Sequence, residues 1–482
     1  MPHTFAPAIL REYDIRGIVD QNLSAADAHA LGQSFGTYVR TRAAQQAAWQ
    51  EGEGGNSAHN PTRVVVGCDG RLSSPMLYQS LIEGLQSVGC HVIGIGLGPT
   101  PMLYFSVYHL NAQAGMMVTG SHNPPHYNGF KMMLHPTMPE GGSVYGAAIK
   151  ELGRIAAAGN FSAGHGTFQQ DNVKNSYIQR LLQHPQLPAL KVVWDCGNGA
   201  AGAIIPELVA QLPGQHTVLF GEVDGKFPNH HPDPTVPDNL RDLQREVAAR
   251  GADLGIAFDG DADRIGAIDG MGRVVAGDQL LALYAREVLE KNKGATIIAD
   301  VKASQTLFDH IAQLGGVPLM WKTGHSLIKT KMKETGAPLA GEMSGHIFFA
   351  DDFYGFDDAL YAGLRLLRLL GHQKKSLAAL RDTLPPAINT PELRFEVKEE
   401  EKFAIVDAIK AQLMADNANV STVDGVRVST PQGWWLLRAS NTQNVLVARA
   451  EANNDTDLAM LTKTLDDTLR AAGVNTTQQA EH

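Results

Sequence analysis

The chain has 482 residues, 44% of them hydrophobic and 19% charged, with a formal net charge of −10. That length is too great for one hydrophobic core and suits roughly three or four domains, and the composition is that of an ordinary globular protein. The acidic balance argues against nucleic acid or an anionic membrane as the main partner, since both need clustered Lys and Arg, but it leaves room for a local phosphate pocket. Cys68, Cys90 and Cys196 are scattered and odd in number. They show no disulfide framework or zinc spacing, so a reducing compartment is expected. Met1 to Pro7 lack a basic segment followed by an apolar one, and no run of about twenty apolar residues occurs. The expectation is a cytoplasmic enzyme without a signal peptide or transmembrane helix.

In chain order, Arg11 to Gly17 is a charged segment that reads as a solvated turn. Ser24 caps a helix with Leu31, Phe35, Tyr38 and Val39 on one face. Glu51 to Asn60 is a polar surface loop. Arg63–Gly67, His91–Ile95 and Met116–Val118 read as buried strands, with a helix at Leu77–Val88 between the first two. The plan then recurs. Strands at Leu190–Trp194 and Leu254–Phe258 flank a helix capped by Asp238 and carrying Leu240, Leu243 and Val247. Strands at Thr296–Ala299, Val317–Trp321 and Pro338–Ala340 follow. Alternating strands and helices predict mostly parallel sheets with helices on both faces. Ligands then sit beyond the carboxyl ends of the strands. After Pro385-Pro386 the pattern changes to strands at Leu393–Val397, Val426–Val428, Trp434–Leu437 and Val445–Ala448, flanked by helices at Phe403–Leu413 and Leu458–Leu469. This predicts a small α+β domain. Trp434 and Trp435 read as core or domain-packing residues, and Thr476 to His482 as a frayed end.

Four loops carry chemistry. Thr119-Gly120-Ser121-His122-Asn123-Pro124-Pro125 ends an apolar strand and must turn at the double proline. A nucleophilic serine fits such a loop, although T-G-S also makes an ordinary turn. Asp259, Asp261 and Asp263 alternate with small residues, which sets three carboxylates on one side, suited to magnesium with positions left for phosphate or water. A calcium loop is excluded because Gly270 stands at the twelfth position. Lys131 is close enough in sequence to Ser121 to neutralise charge or to act as acid or base. Gly341-Glu342-Met343-Ser344-Gly345-His346 offers a carboxylate and a hydroxyl for vicinal sugar hydroxyls, or a helix-capping turn. His325 follows Lys322-Thr323-Gly324 and is able to titrate near neutral pH. Arg438-Ala439-Ser440-Asn441-Thr442 reads as a phosphate cradle or a polar hairpin.

Together with Tyr13-Asp14-Ile15-Arg16-Gly17, these segments resemble the α-D-phosphohexomutase superfamily, nearest to its bacterial phosphomannomutase/phosphoglucomutase members. The resemblance spans nearly the whole chain. It implies three similar mixed α/β domains in series (1–168, 169–273 and 274–386) and a C-terminal α+β domain of TATA-binding-protein-like fold (387–482), around a central cleft. It implies a phosphorylated Ser121, with Mg2+ held by Ser121, Asp259, Asp261 and Asp263. Glu342, Ser344 and His346 would meet the sugar, and Arg438, Ser440, Asn441 and Thr442 its phosphate. Tyr13, Arg264 and Lys302 are further expected substrate contacts. Arg16 and His122 are expected at the catalytic centre, and Lys131 and His325 are the candidates for proton transfer.

The implied reaction interconverts hexose 1-phosphate and hexose 6-phosphate, of glucose, mannose or both. Hexose 1,6-bisphosphate is its intermediate and activator. The expected partner is a phosphosugar, and the expected state a monomer, with a dimer as the alternative. Other readings are a metal-dependent phosphohydrolase with a covalent phosphoserine, phosphoglucosamine mutase, and a non-catalytic sugar-phosphate-binding protein. Met343 favours the glucose/mannose group by resemblance.

Overall fold

A computed structural model describes residues 1–52, 61–183, 187–441 and 443–476. It contains two compact units. The first joins 1–275 with 344–378, and the second joins 276–343 with 379–482. Most of the expected Glu51–Asn60 loop (53–60), Thr442 and the end from 477 onward lie outside the described residues.

The first unit holds two sheets. In one, the strand order is Ile15–Ile18, Tyr127–Leu134, Ala114–Val118, Arg63–Cys68, His91–Leu97, Phe168–Gln170. The pairs beyond Ala114–Val118 are parallel, but Tyr127–Leu134 runs antiparallel to both its neighbours. The sheet is therefore mixed rather than mostly parallel, because an apolar run reveals burial but not strand direction. The charged segment near the N-terminus is corrected in the same way. Ile15–Ile18 is an edge strand paired with Tyr127–Leu134, and Asp14 beside it is buried. The second sheet has the order Val274–Val275, Ile265–Asp269, Leu254–Phe258, Leu190–Asp195, Gly214–Leu219 and is also mixed.

Helix Ala25–Gly52 starts with a reciprocal cap. The Ser24 hydroxyl accepts from Asp27 N at 3.3 Å, and the Asp27 carboxylate accepts from Ser24 N at 2.8 Å. Asp238 is not the cap expected of it. It lies inside a short 3-10 turn, Pro237–Leu240, and the α-helix Arg241–Arg250 begins only after Leu240. Ala25–Gly52 packs directly on helix Ser74–Ser87 through paired glycines. A Cβ on Gly84 would come within 2.1 Å of the His29 carbonyl oxygen, and one on Gly32 within 2.4 Å of Leu81 O. Two backbones approach this closely only where both helices lack side chains.

In the second unit, Val317–Trp321, Thr296–Asp300 and Leu339–Gly341 pair in parallel, in that order. A separate antiparallel sheet, with Gly433–Ala439 and Val445–Ala452 at its centre, packs helices Lys402–Ala415 and Asp455–Ala471 over a core that includes Trp435, Leu437, Leu446 and Leu465. Trp434 faces the other way. Arg427 lies 3.7 Å over its ring and donates to the carbonyls of Val301 and Ala303 at 2.7 and 2.8 Å. Among the described residues no helix is long and apolar enough to cross a membrane.

The helix crossing gives a direct test. Gly84→Ala forces the two helices apart, an overpacking that costs about 1–3 kcal/mol. The first thermal unfolding transition should fall by several degrees, as read by calorimetry, and an unchanged transition would disprove the close contact.

Candidate active site

Ser121 follows the strand Ala114–Val118, as its position after an apolar run requires. Its backbone lies in the left-handed region (φ 49°), an uncommon conformation for a side chain other than Asn or Asp. Ser121 is buried, only 2% accessible. Its hydroxyl donates to Asp259 Oδ2 at 2.9 Å, with His122 Nδ1 at 3.3 Å. The aspartate loop follows Leu254–Phe258, and it too contains a left-handed residue, Ala262 (φ 60°). The two loops touch backbone to backbone. A Cβ on Gly260 would sit 2.4 Å from Ser121 O, so a larger residue there would separate serine from aspartates.

Asp259, Asp261 and Asp263 are fully buried and offer oxygens within 4.8 Å of one another. Burial, then the neighbouring Asp261 and Asp263 carboxylates, push the Asp259 carboxyl well above the usual range. Lys131 balances the cluster from the antiparallel strand Tyr127–Leu134. Its ammonium donates to Asp261 at 2.7 Å and also to Asp263. Burial works against that charge, but Asp261 and Asp263 outweigh it and hold the lysine above its ordinary value. Thr100 donates to Asp261 Oδ2 at 2.5 Å, while Asp261 Oδ1 is buried with no hydrogen-bond partner. A hard divalent cation fits this donor set: it takes oxygen ligands, and it would engage an atom otherwise left unsatisfied.

The remaining expected residues of the first unit gather beside these loops. Arg264 N donates to Asp259 Oδ1 at 3.1 Å, and its side chain reaches His346 at 3.4 Å. His346 contacts Asp263 at 3.2 Å and Ser344 at 3.2 Å, so it serves the aspartate loop as much as the loop that carries it. Asp263, His346 and Asp357 form a second set of potential metal ligands. Arg16 donates to Asp14 at 2.5 Å. With the Asn123 amide turned so that its oxygen faces Arg16, it accepts from the guanidinium at 2.8 and 3.1 Å. Tyr13 is buried next to them in sequence. Burial and the charges of Arg264 and Arg16 keep His122 well below the usual imidazole range, hence neutral at pH 7.

The second unit brings together the other expected residues. Glu342 accepts from Gly324 N at 2.6 Å, at the start of helix His325–Thr335, and His325 Nδ1 accepts from Lys329 at 3.3 Å. Arg438 donates to Asp424 at 2.9 Å, and the same carboxylate accepts from Thr323 N at 3.1 Å. Lys302 donates to Glu392 at 2.9 Å, which also accepts from Arg394 at 2.8 and 3.0 Å through its other oxygen. Burial opposes the Glu392 charge, but Lys302 and Arg394 outweigh it and hold this carboxyl far below the usual range. Ser440 accepts from Gln443 N at 3.1 Å, and Asn441 is half-buried beside it. The division between the units falls inside the Gly341–His346 loop, between Met343 and Ser344. Glu342 and Ser344 therefore belong to different units.

Sequence reading missed Thr100, Asp357, Asp424, Glu392 and His231, whose ring donates to the His122 carbonyl. Each stands outside the recognisable motifs, so its spacing gave no signal.

Family models for phosphoglucomutase/phosphomannomutase match the chain in four consecutive segments. Alpha/beta/alpha domains I, II and III match 8–161, 171–272 and 276–388, and the C-terminal domain matches 392–467. A phosphomannomutase/phosphoglucomutase of Pseudomonas syringae pv. tomato is 45% identical over 95% of both chains. A phosphoglucomutase of Neisseria gonorrhoeae is 41% identical over 92% of this chain and 93% of its own. Among solved structures, a phosphoglucomutase/phosphomannomutase family protein from Burkholderia thailandensis superposes with a TM-score of 0.87 at 41% identity, covering 98% of this chain and 99% of the other. Four matched domains, full-length relatives and a shared three-plus-one architecture lead to one conclusion: the chain belongs to the phosphoglucomutase/phosphomannomutase family of the α-D-phosphohexomutase superfamily.

Proposed function

We propose that the chain is a phosphohexomutase interconverting hexose 1-phosphate and hexose 6-phosphate, with glucose and mannose phosphates as substrates. The observation that carries this reading is the Ser121 hydroxyl held 2.9 Å from Asp259, in a buried cluster of three carboxylates and one lysine. A buried hydroxyl hydrogen-bonded to a carboxylate is set to lose its proton as it becomes a nucleophile. Phosphorylated Ser121 then gives its phosphoryl group to the free end of the sugar. The resulting hexose 1,6-bisphosphate returns its other phosphoryl group to Ser121.

That cycle needs one transferring phosphate site and one fixed one. Ser121, His122, Arg16, Lys131 and Arg264 serve the first. Lys302, Arg438, Ser440, Asn441 and Thr442 serve the second, their cations paired with Glu392 and Asp424 until an anionic substrate competes for them. Glu342, Ser344, His346 and Tyr13 meet the sugar. Mg2+ would be held by Asp259, Asp261, Asp263 and the phosphorylated Ser121. Bound there, it supplies charge neutralisation to the transferring phosphoryl group. Lys131 and His325 carry protons to and from the sugar oxygens. The protein works in the cytoplasm as a monomer.

Three measurements test this reading. Phosphorus NMR of glucose 1-phosphate and mannose 1-phosphate, each with Mg2+ and a trace of hexose 1,6-bisphosphate, should show the 6-phosphates appearing. Release of inorganic phosphate instead would mean a phosphohydrolase. Ser121→Ala should lower turnover by at least about 1,000-fold while leaving the fold intact, since nucleophile removal abolishes the covalent route. Wild-type turnover in that variant would end the nucleophile assignment. Lys131→Met leaves the three carboxylates unbalanced, an uncompensated buried charge costing about 3–5 kcal/mol. Its melting temperature should fall without divalent cation and rise on adding Mg2+ by more than the wild type's does. An equal Mg2+ response in both proteins would show that Lys131 does not compete with a cation for the aspartates.

A further inference from the structure

Arg71 lies outside the residues so far given a role. It follows the strand Arg63–Cys68, and its side chain is completely buried beneath the Ser121 loop. All of its side-chain nitrogens are engaged. Nη1 donates to the carbonyls of Pro124 and Tyr127 at 2.6 and 3.0 Å, and Nη2 to those of Ser121 and Asn123 at 2.7 and 2.6 Å. Nε pairs with Asp69 at 3.2 Å. The same Asp69 carboxylate accepts from Gly120 N at 3.1 Å, Arg71 N at 3.1 Å and the Ser74 hydroxyl at 2.6 Å. Gly120 has no room for a side chain, because a Cβ there would lie 2.4 Å from Arg71 Nε.

Four carbonyl dipoles converging on one buried point repel one another unless a cation sits among them. A guanidinium can satisfy four at once because its donors are spread in a fixed fork, which an ammonium cannot reproduce. The loop gains a definite path from this. The Ser121–His122 peptide is trans, so directing the Ser121 carbonyl to Arg71 turns the His122 N–H away from it. It also supports the left-handed backbone of Ser121 that aims the hydroxyl at Asp259. Strain of this kind persists only where surrounding contacts over-determine it.

We infer that Arg71, neutralised by Asp69, is a positioning residue for phosphoryl transfer: it gathers the carbonyls of Ser121, Asn123, Pro124 and Tyr127 and so sets the direction of the Ser121 hydroxyl. This rests on the mutase reading of Ser121. In the step concerned, Ser121 Oγ loses its proton and bonds to phosphorus. The sugar oxygen of hexose 1,6-bisphosphate leaves with the P–O bonding pair and takes up a proton.

The test is the rate at which dephosphorylated enzyme takes a phosphoryl group from glucose 1,6-bisphosphate in a single turnover, followed by intact-protein mass. Arg71→Lys keeps the charge but cannot hold four carbonyls. Its phosphorylation rate should fall about 100-fold, the scale of a misplacement near 1 Å. The fraction of chains finally phosphorylated should stay complete, and KM for glucose 1-phosphate should stay within about threefold of wild type. A rate within threefold of wild type, or a reduced fraction reacting at the normal rate, would overturn the inference, the latter because it indicates only lost folding. If Arg71→Lys does not fold, Asp69→Asn decides: it should slow the same step at least tenfold, and a wild-type rate would overturn the proposal. Wild-type enzyme that neither accepts the phosphoryl group nor interconverts hexose phosphates would overturn the mutase reading, and this inference with it. Active wild type beside an equally active Arg71→Lys would overturn the role of Arg71 alone.

Discussion

Three carboxylates cannot share a space without water unless positive charge is placed among them. Much of the first unit serves that constraint. Lys131 reaches Asp261 and Asp263 because it lies on Tyr127–Leu134, directly across from Met117. That strand returns beside the one that ends at the serine loop, so the hairpin delivers nucleophile and counter-charge from two paired strands. Gly260 then lets the aspartate loop rest on the serine loop itself. The placement of Ser121, Lys131 and the aspartates is thus one packing problem with one solution, and displacing any of them exposes the charge on the others.

The motifs were legible because they are local. Glycine and proline set the turn after Val118, glycine the one after Phe258 and the polar Ser440-Asn441 the one after Ala439, and apolar runs marked the strands leading into them. The family resemblance supplied the three-plus-one architecture, which the matched domains support. What stayed hidden was whatever depends on pairing across distance. The antiparallel course of Tyr127–Leu134 has no periodic signature of its own. The burial of Asp14 and Ile15 follows from edge pairing that a charged segment does not advertise. Asp238 looked like a helix cap by residue type, yet the 3-10 turn Pro237–Leu240 carries the chain past it before the α-helix starts. His346 was expected at the sugar, but its ring also contacts Asp263, more than eighty residues earlier.

A second theme is the use of buried arginines to organise backbone. Arg427 collects the carbonyls of Val301 and Ala303, and Arg449 that of Lys302. Together they hold the turn that carries Lys302, as Arg71 holds the turn that carries Ser121. Loops cannot satisfy their own carbonyls by regular pairing, and a delocalised cation with several fixed donors does so without imposing a strand or helix. A loop held this way keeps a conformation chosen for chemistry rather than for secondary structure.

Cys68, Cys90 and Cys196 are all buried and unpaired. Burial, aided by Asp69, pushes the Cys68 thiol up to about 12, and burial does the same for Cys90. Burial and Asp195 likewise drive the Cys196 thiol well above its ordinary value. Thiolate is the reactive form, so burial and a scarce thiolate both slow the reaction of these cysteines with maleimides and mild oxidants in the folded protein. An introduced surface thiol should therefore outpace the three native ones, so that a fluorophore or spin label coupled briefly to the folded protein reports mainly from the chosen position.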